Sequence, residues 1–263
     1  MPVELAWTTW GNSNKHTILL IHGAASSGRM WQPIAESLAD QYHLIAPDLR
    51  GHGASPRPGA YPPEELAADL AAFIAGHISG RFAIVGHSIG ALLAVDYTIR
   101  HPERVSSLIS IDINVPLPEW QKDYIRRVVD KPVRVFATRG DGLAFLRRAL
   151  LPTASGELLE AFAGCVLAEG PSGWTFNFDA QVLRQFAALD SRFELERIEC
   201  PTLFLRGSES PVMDRANGIA MLHRVAHSSL VQIPRAGHYP FLDNPTATTD
   251  ELRRFLSVVD RGP

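Results

Sequence analysis

Gly86-His87-Ser88-Ile89-Gly90 is the stretch of sequence that decides how this chain folds. The short apolar run 81–85 before it is typical of a buried strand, and residues 91–97 after it are typical of a helix packed on a sheet. Glycine two positions before and after the serine indicates a sharp strand-to-helix turn, because side chains there would collide with neighbouring backbone. Such a turn strains the serine backbone and places it at a helix N-terminus, which favours developing negative charge. The pattern predicts that Ser88 is a nucleophile.

Length and composition indicate one large domain, or a core domain with an insertion. The chain has 263 residues, 46% of them hydrophobic, and a net charge of −3, so we expect no nucleic-acid partner and no membrane partner. Cys165 and Cys200 lie far apart and have no metal-ligand spacing, which predicts reduced thiols in a cytoplasmic protein and no metal site. The first residues lack the pattern of a secretory signal, and no apolar stretch is long enough to span a bilayer.

Strand and helix patterns alternate through the first half of the chain. They predict strands at 17–21, 42–46, 82–85 and 105–112, and helices at 31–39, 63–78 and 88–100. Segment 114–198 has a mostly helical pattern with prolines and no core strand, and the sheet pattern returns at 201–206 and 229–233. A final amphipathic helix is predicted at 245–259. The expected fold is therefore α/β, a doubly wound, mostly parallel sheet formed by 1–113 and 199–263, with 114–198 inserted as a helical cap.

Four motifs follow one another in an informative order. They are His22-Gly23-Ala24-Ala25, then Asp48-Leu49-Arg50-Gly51-His52-Gly53-Ala54-Ser55, then Gly86–Gly90, and finally Gly237-His238-Tyr239-Pro240. Together they resemble the α/β-hydrolase superfamily over essentially the whole chain. The resemblance implies an α/β-hydrolase fold with a cap insertion and a serine hydrolase that needs no cofactor. Fold alone does not define the substrate.

A serine hydroxyl is a weak nucleophile and needs a neighbouring base, and His238 on the loop after the last predicted strand is the candidate. The developing oxyanion needs two backbone N–H groups. We expect one from Ile89, directly after the serine, and the other from Ala24, with Ala25 as the alternative. His22 is expected to orient the loop that carries Ala24, and His87 to be packed away from the reacting atoms.

The acidic member of the triad is where the sequence departs from the common family pattern. Most relatives carry an aspartate three residues after a glycine on the loop after the penultimate strand, and here Ser210 occupies that position after Gly207. Glu209, Asp214 and Asp112 are the alternatives. Asp112 is favoured, since it ends the strand after the Ser88 turn, and some superfamily members place the acid there and carry Arg-Gly-x-x-Ser on the later loop. The acid would hold the histidine tautomer and stabilise the imidazolium.

The sequence thus predicts an enzyme that cleaves carboxylic esters, lactones or thioesters, which are small molecules, through an acyl-enzyme on Ser88. The alternatives are a hydrolase of C–C bonds in β-diketone-type substrates and a slow-turnover ligand-binding receptor. Trp31, Trp174 and Phe176 are candidate pocket residues, although Trp31 could equally face the core, and the other two could instead join cap to core. Asp69 and Asp96 are expected on exposed helix faces. For the oligomeric state, the sequence allows both a monomer and a homodimer.

Overall fold

The computed structural model describes residues 1–189 and 193–259. Residues 190–192 of the predicted cap and the last four residues of the predicted core, 260–263, lie outside the described residues. A seven-stranded sheet forms the centre of the fold. Its strands are β1 (Trp7–Trp10), β2 (Thr17–Ile21), β3 (His43–Pro47), β4 (Phe82–His87), β5 (Val105–Ile111), β9 (Thr202–Gly207) and β10 (Ser228–Ile233), in the spatial order β1-β3-β2-β4-β5-β9-β10. Only β1 pairs antiparallel with its neighbour, and the other pairings are parallel.

Helices cover both faces of this sheet, as the alternating pattern predicts. They are α1 (Gln32–Leu38), α2 (Pro63–His77), α3 (Ile89–Arg100), α8 (Arg215–Arg224), the short α9 (Pro240–Asp243) and α10 (Pro245–Val259), together with short 3-10 turns at Gly28–Trp31 and Leu195–Arg197. Most predicted strand and helix bounds agree with these to within one or two residues. The doubly wound, mostly parallel sheet expected from the sequence is confirmed.

The side-chain alternation of the strands divides the core into two layers. In β2, Leu19 and Ile21 join the cluster that contains the buried side chains of α2 and α3. Ile18 and Leu20 join the cluster that contains those of α1 and α10. A strand that is buried on both faces has to be apolar throughout, and this is why the central strands are continuous apolar runs.

Segment 114–198 contains both helices and a small sheet. Its elements are α4 (Glu119–Val129), β6 (Val135–Phe136), α5 (Arg139–Ala149), α6 (Gly156–Val166), β7 (Leu167–Gly170), β8 (Gly173–Phe176) and α7 (Gln181–Leu189), and the strands form an antiparallel sheet in the order β6-β8-β7. The sequence pattern indicates helices but not this sheet, because strands of two and four residues are too short to show a period. That the segment is a separate cap stays a prediction.

Two aspartates expected on exposed helix faces are buried instead. Asp69 is 2% exposed and accepts hydrogen bonds from Arg50 Nε at 2.5 Å and Nη2 at 2.8 Å. Asp96 is 6% exposed and is paired with Arg100 one helical turn later. A buried carboxylate is tolerated here because a guanidinium compensates its charge.

The arrangement of the sheet decides where chemistry can occur. Since β2, β4, β5, β9 and β10 are parallel, their carboxyl ends meet at one edge of the sheet. The loops after these strands, and after β3, which is parallel to β2, carry the four sequence motifs and the alternative acids. This edge is the usual position of a ligand site in an open α/β sheet. Among the described helices, none combines the length and the apolar character that crossing a bilayer requires.

Candidate active site

Ser88 lies between the end of β4 and the start of α3, in the strained conformation that the sequence predicts. Its φ is 53° and its ψ is −124°, in a region that residues with side chains rarely occupy. Its N–H donates to the carbonyl oxygen of Ile111 at 2.9 Å, which ties the turn to β5. The strain is consistent with a residue held for function rather than for stability.

The two glycines of the turn are required by close backbone contacts. A Cβ atom at Gly86 would lie 2.4 Å from the Cα of Ala91, and one at Gly90 would lie 2.4 Å from the carbonyl oxygen of His22. Both distances are far inside van der Waals contact, and the clashing atoms belong to the main chain. The expected steric role of the two glycines is therefore present in the structure.

His238 and Asp112 form a direct pair at the carboxyl edge of the sheet. The Nδ1 atom of His238 lies 2.7 Å from Oδ2 of Asp112, whose side chain is fully buried, whereas the His238 side chain is 19% exposed. A carboxylate accepts, so Nδ1 carries the proton and Nε2 is left as the ring nitrogen that can accept one. The pair has the geometry expected of a base and the acid that orients it.

Two further donors hold the Asp112 carboxylate. The N–H of Gly207 donates to its Oδ1 at 3.2 Å, and the hydroxyl of Ser210 donates to its Oδ2 at 2.5 Å. Gly207 is the last residue of β9, and Ser210 lies on the loop that follows it. Ser210, which occupies the position where the sequence resemblance implies an acid, is thus a hydrogen-bond partner of Asp112 at the end of the neighbouring strand.

The other two candidate acids lie apart from His238. Asp214 is exposed and caps α8, accepting from the N–H of Asn217 at 2.8 Å. Glu209 is exposed as well, and its backbone N–H donates to the carbonyl oxygen of Ala236 at 2.9 Å. Of the three alternatives, the structure brings Asp112 alone into hydrogen-bond contact with His238. The catalytic role of Asp112 stays a prediction.

Ser88 and His238 form no hydrogen bond within the described residues. Contacts of this kind are commonly long in a free enzyme and shorten when substrate binds. Ser88 nevertheless faces the loop after β2, since a Cβ atom at Gly23 would lie 3.1 Å from the Cβ of Ser88. The nucleophile candidate and the loop that carries Ala24 are therefore neighbours.

The two candidate oxyanion donors lie on either side of Ser88. Ile89 is the first residue of α3, where a backbone N–H has no partner inside the helix. Ala24 follows Gly23 on the neighbouring loop, and Ala25, the alternative donor, has a positive φ of 54°. Which of the two alanines would donate stays a prediction.

His22 is buried beneath this loop and connects it to the loop after β3. Its Nε2 accepts from the N–H of Leu49 at 2.9 Å, so its Nδ1 carries the proton and donates to the carbonyl oxygen of Gly23 at 2.7 Å. Burial lowers the pKa of His22, so the ring is neutral. This placement agrees with the expected role of His22 in orienting the loop.

The candidate pocket residues lie in different surroundings. Trp31 is fully buried in the core, and its ring centroid is 4.6 Å from that of Phe241. Trp174 and Phe176 are half-buried on one face of β8, and the ring centroid of Phe176 lies 5.9 Å from that of Phe136. The core placement of Trp31 therefore corresponds to the alternative in which it faces the core, and a pocket role for Trp174 and Phe176 stays a prediction.

Sequence reasoning missed Asp243. Its Oδ2 accepts from the N–H of Gly237 at 2.9 Å, and its Oδ1 accepts from the hydroxyl of Thr153 at 2.5 Å. Burial raises the pKa of this carboxyl group. Asp243 thus joins the loop that carries His238 to segment 114–198, and the only available signal was a carboxylate five residues after the histidine. Within the described part of the chain, no group of three or more His, Cys, Asp or Glu side chains is placed to hold a metal ion.

Comparison with known families agrees with this architecture. The family model described as alpha/beta hydrolase fold matches residues 16–245, so the chain belongs to that family. The predicted resemblance and fold are confirmed.

Relatives of this chain extend over nearly the same length. The chain is 25% identical to a pimeloyl-[acyl-carrier protein] methyl ester esterase of Aliivibrio salmonicida, with 99% of this chain and 98% of the relative covered. It is 26% identical to 3-oxoadipate enol-lactonase 2 of Acinetobacter baylyi, with 93% and 90% covered. Among solved structures, a thermophilic esterase from Thermogutta terrifontis is 29% identical with a TM-score of 0.79, covering 98% of this chain and 94% of the other.

Proposed function

We propose that this protein is a serine hydrolase that cleaves carboxylic esters, or the related lactones and thioesters, through an acyl-enzyme on Ser88. The observation that carries the proposal is the 2.7 Å contact between His238 Nδ1 and the buried carboxylate of Asp112, at the sheet edge where Ser88 starts a helix. A serine, a histidine base and an acid that orients the base are the three parts that acyl transfer requires.

The first step is attack of the Ser88 hydroxyl on the substrate carbonyl carbon. His238 takes the hydroxyl proton on Nε2, because Nδ1 is already occupied by its bond to Asp112. Asp112 stabilises the imidazolium that forms without itself taking the proton. The negative charge that develops on the carbonyl oxygen is stabilised by the N–H groups of Ala24 and Ile89.

The second half of the reaction reverses these roles. The proton held by His238 passes to the leaving alkoxide, alcohol is released, and the acyl group stays on Ser88. Water then enters, gives a proton to His238 and attacks the acyl carbon. The bond between that carbon and the Ser88 oxygen breaks, His238 returns the proton to this oxygen, and the carboxylic acid is released. Asp214 and Glu209, as exposed residues apart from His238, have no step in this scheme.

Segment 114–198 is proposed as a cap that lies over the site and shapes the acyl pocket. Two contacts support this position. Thr153 donates to Asp243 on the His238 loop, and the ring of Phe162 lies 5.2 Å from that of Tyr239, the residue after His238. The aromatic cluster of Phe136 and Phe176 in the same segment favours substrates with some apolar character.

The chemistry of the relatives supports the ester class. By their names, the Aliivibrio salmonicida relative acts on a methyl ester and the Acinetobacter baylyi relative acts on an enol-lactone. Both reactions release an oxygen leaving group from an acyl carbon. A cytoplasmic location is part of the proposal, supported by the free thiols of Cys165 and Cys200.

Intact-mass spectrometry after brief exposure to a fluorophosphonate tests the proposal without a choice of substrate. We expect one adduct on the wild-type protein and none on Ser88→Ala. An unlabelled wild-type protein would contradict an activated serine. A panel of esters, lactones, thioesters and a vinylogous diketone then separates the reactions. Turnover of the diketone alone would favour C–C hydrolysis, and tight binding of a ligand without turnover would favour a receptor.

A further inference from the structure

His87 is a buried histidine beside the nucleophile to which the mechanism above assigns no step. It is the last residue of β4, immediately before Ser88, and is fully buried. Its ring centroid lies 4.6 Å from that of His238, 4.9 Å from that of Tyr239 and 5.0 Å from that of Phe241. His87 therefore packs against the loop that carries the proposed base.

The hydrogen bond of His87 defines its tautomer. Its Nε2 lies 2.7 Å from the main-chain carbonyl oxygen of His238. A carbonyl oxygen can only accept, so Nε2 carries a proton and donates it. Its Nδ1 is buried and has no hydrogen-bond partner among the described residues. A second proton on Nδ1 would thus be a buried, unsatisfied donor with a charge, so the ring is neutral.

The neutral ring suits its neighbour. Burial, and next the proximity of His238, lower the pKa of His87 well below its ordinary value. The proposed mechanism places a positive charge on His238 in the transition state. A second cation 4.6 Å away would oppose that charge, whereas a neutral imidazole does not.

His87 also contacts the loop on the other side of Ser88. A Cβ atom at Gly23 would lie only 2.7 Å from its Nδ1, so the ring lies directly against the backbone that precedes Ala24. One side chain therefore spans the loop of the proposed oxyanion donor and the loop of the proposed base.

Resting on the proposed function, we propose that His87 is a positioning residue, which as a neutral Nε2–H donor to the His238 carbonyl holds the main chain of the base in register with Asp112. His238 is then fixed at two points. Asp112 holds the ring at Nδ1, and His87 holds the main chain. Loss of the second point would leave the ring free to tilt about the first. Displacement of a reacting group by about 1 Å can reduce a rate by roughly 100-fold.

Two substitutions separate the donor from the volume of the ring. His87→Phe keeps an aromatic ring for the contacts with Tyr239 and Phe241 but removes the donor. His87→Gln loses the ring but places an amide N–H at a similar reach. The matched control is His52→Phe, because His52 is also fully buried and donates from Nδ1 to a main-chain carbonyl, that of Arg50, without contact to His238.

The experiment measures kcat and KM with p-nitrophenyl esters, the melting temperature, and the NMR signal of the proton between His238 and Asp112. For His87→Phe we expect kcat to fall by about 10- to 100-fold with little change in KM, and the bridging-proton signal to shift or broaden. His87→Gln should recover most of kcat and the signal. His52→Phe should lower the melting temperature but leave the signal in place.

Three results would overturn the proposal. One is a His87→Phe enzyme with wild-type kcat and an unchanged signal. Another is an equal loss of kcat in His87→Phe and His87→Gln that follows their melting temperatures, because this would indicate a packing role only. The third is a ring NMR spectrum of wild-type His87 that shows Nδ1 protonated. Failure of the proposed function is distinct, since it would appear as wild-type protein without Ser88-dependent turnover, and the NMR measurements would still test His87.

Discussion

The carboxyl ends of β5 and β9 are neighbours in the sheet, yet they carry acidic residues of very different character. Asp112 after β5 is fully buried and accepts from three donors, His238, Ser210 and Gly207. Glu209 and Asp214 on the loop after β9 are exposed. A carboxylate that is shielded from water and hydrogen-bonded to an imidazole interacts far more strongly with the positive charge of an imidazolium than a carboxylate in solvent does. Position along the chain therefore identifies the candidate acids, whereas burial and contact with the imidazole distinguish between them.

The largest expected effect comes from neutralising the buried acid. Asp112→Asn should reduce kcat by roughly 1,000- to 10,000-fold, because an amide neither stabilises the imidazolium nor enforces its tautomer. Asp214→Asn should stay within about twofold, since asparagine caps a helix as well as aspartate does. Steady-state kinetics on both variants, with circular dichroism to check folding, makes the measurement. The reverse pattern would move the acid to the loop after β9.

A transplant of the acid sharpens the comparison. The double variant combines Asp112→Asn with Ser210→Asp. In the wild-type protein the Ser210 hydroxyl lies 2.5 Å from Oδ2 of Asp112, the atom that contacts His238, so the new carboxylate starts from a position close to the lost one. We expect kcat to recover by about 10- to 100-fold over Asp112→Asn alone, because a negative charge again faces the imidazole. The same kinetic assay measures this. Absence of any recovery would show that the β9 loop cannot direct a side chain at His238.

Removal of the supporting hydroxyl should have a smaller effect. Ser210→Ala deletes a donor to the Asp112 carboxylate, and a hydrogen bond to a charged group contributes about 1.5–3 kcal/mol. We expect kcat to fall by about tenfold while the fold survives. Ser208→Ala is the matched control on the same loop, because the hydrogen bond described for Ser208 is made by its backbone N–H. Equal effects of the two substitutions would argue against a specific role for Ser210.

The smallest expected effect is on the pH dependence of the protein's folding stability, to which the buried histidines near this edge of the sheet contribute. Burial lowers the pKa of His22, and lowers those of His52 and His87 well below their ordinary value of 6.5. The unfolded chain therefore binds more protons than the folded one below about pH 6.5, so stability is full above that pH and is lost as the pH falls.

Urea unfolding between pH 5 and 8 measures this dependence. His52 and His87 should each contribute roughly 1 kcal/mol of lost stability per pH unit below about 6.5. His52→Phe should flatten the slope by one such contribution. If His52→Phe has the same slope as the wild-type protein, then His52 takes up a proton as readily in the folded protein as in the unfolded chain, which would contradict the expectation.

Much of the fold followed from local sequence patterns. The apolar runs of the central strands and the glycines of the Ser88 turn depend on neighbours in sequence, so strand, turn and helix could be located without the structure. The three-stranded sheet of segment 114–198 could not be, since β6 has only two residues and its pairing with β8 joins positions some forty residues apart. The burial of Asp69 was missed for a similar reason, because its partner Arg50 lies on a different element.

The sequence by itself determined the α/β class, the order of the motifs, the identity of the serine and histidine candidates, and a short set of possible acids. These depend on residue type and on spacing along the chain, which local sterics and hydrophobic periodicity make readable. Only the tertiary structure decided which acid contacts His238, that Ser210 donates to it, and that His87 donates to the main chain of His238. Such contacts join residues about 100 to 150 positions apart, and parallel strand order, not chain order, brings those residues to one edge of the sheet.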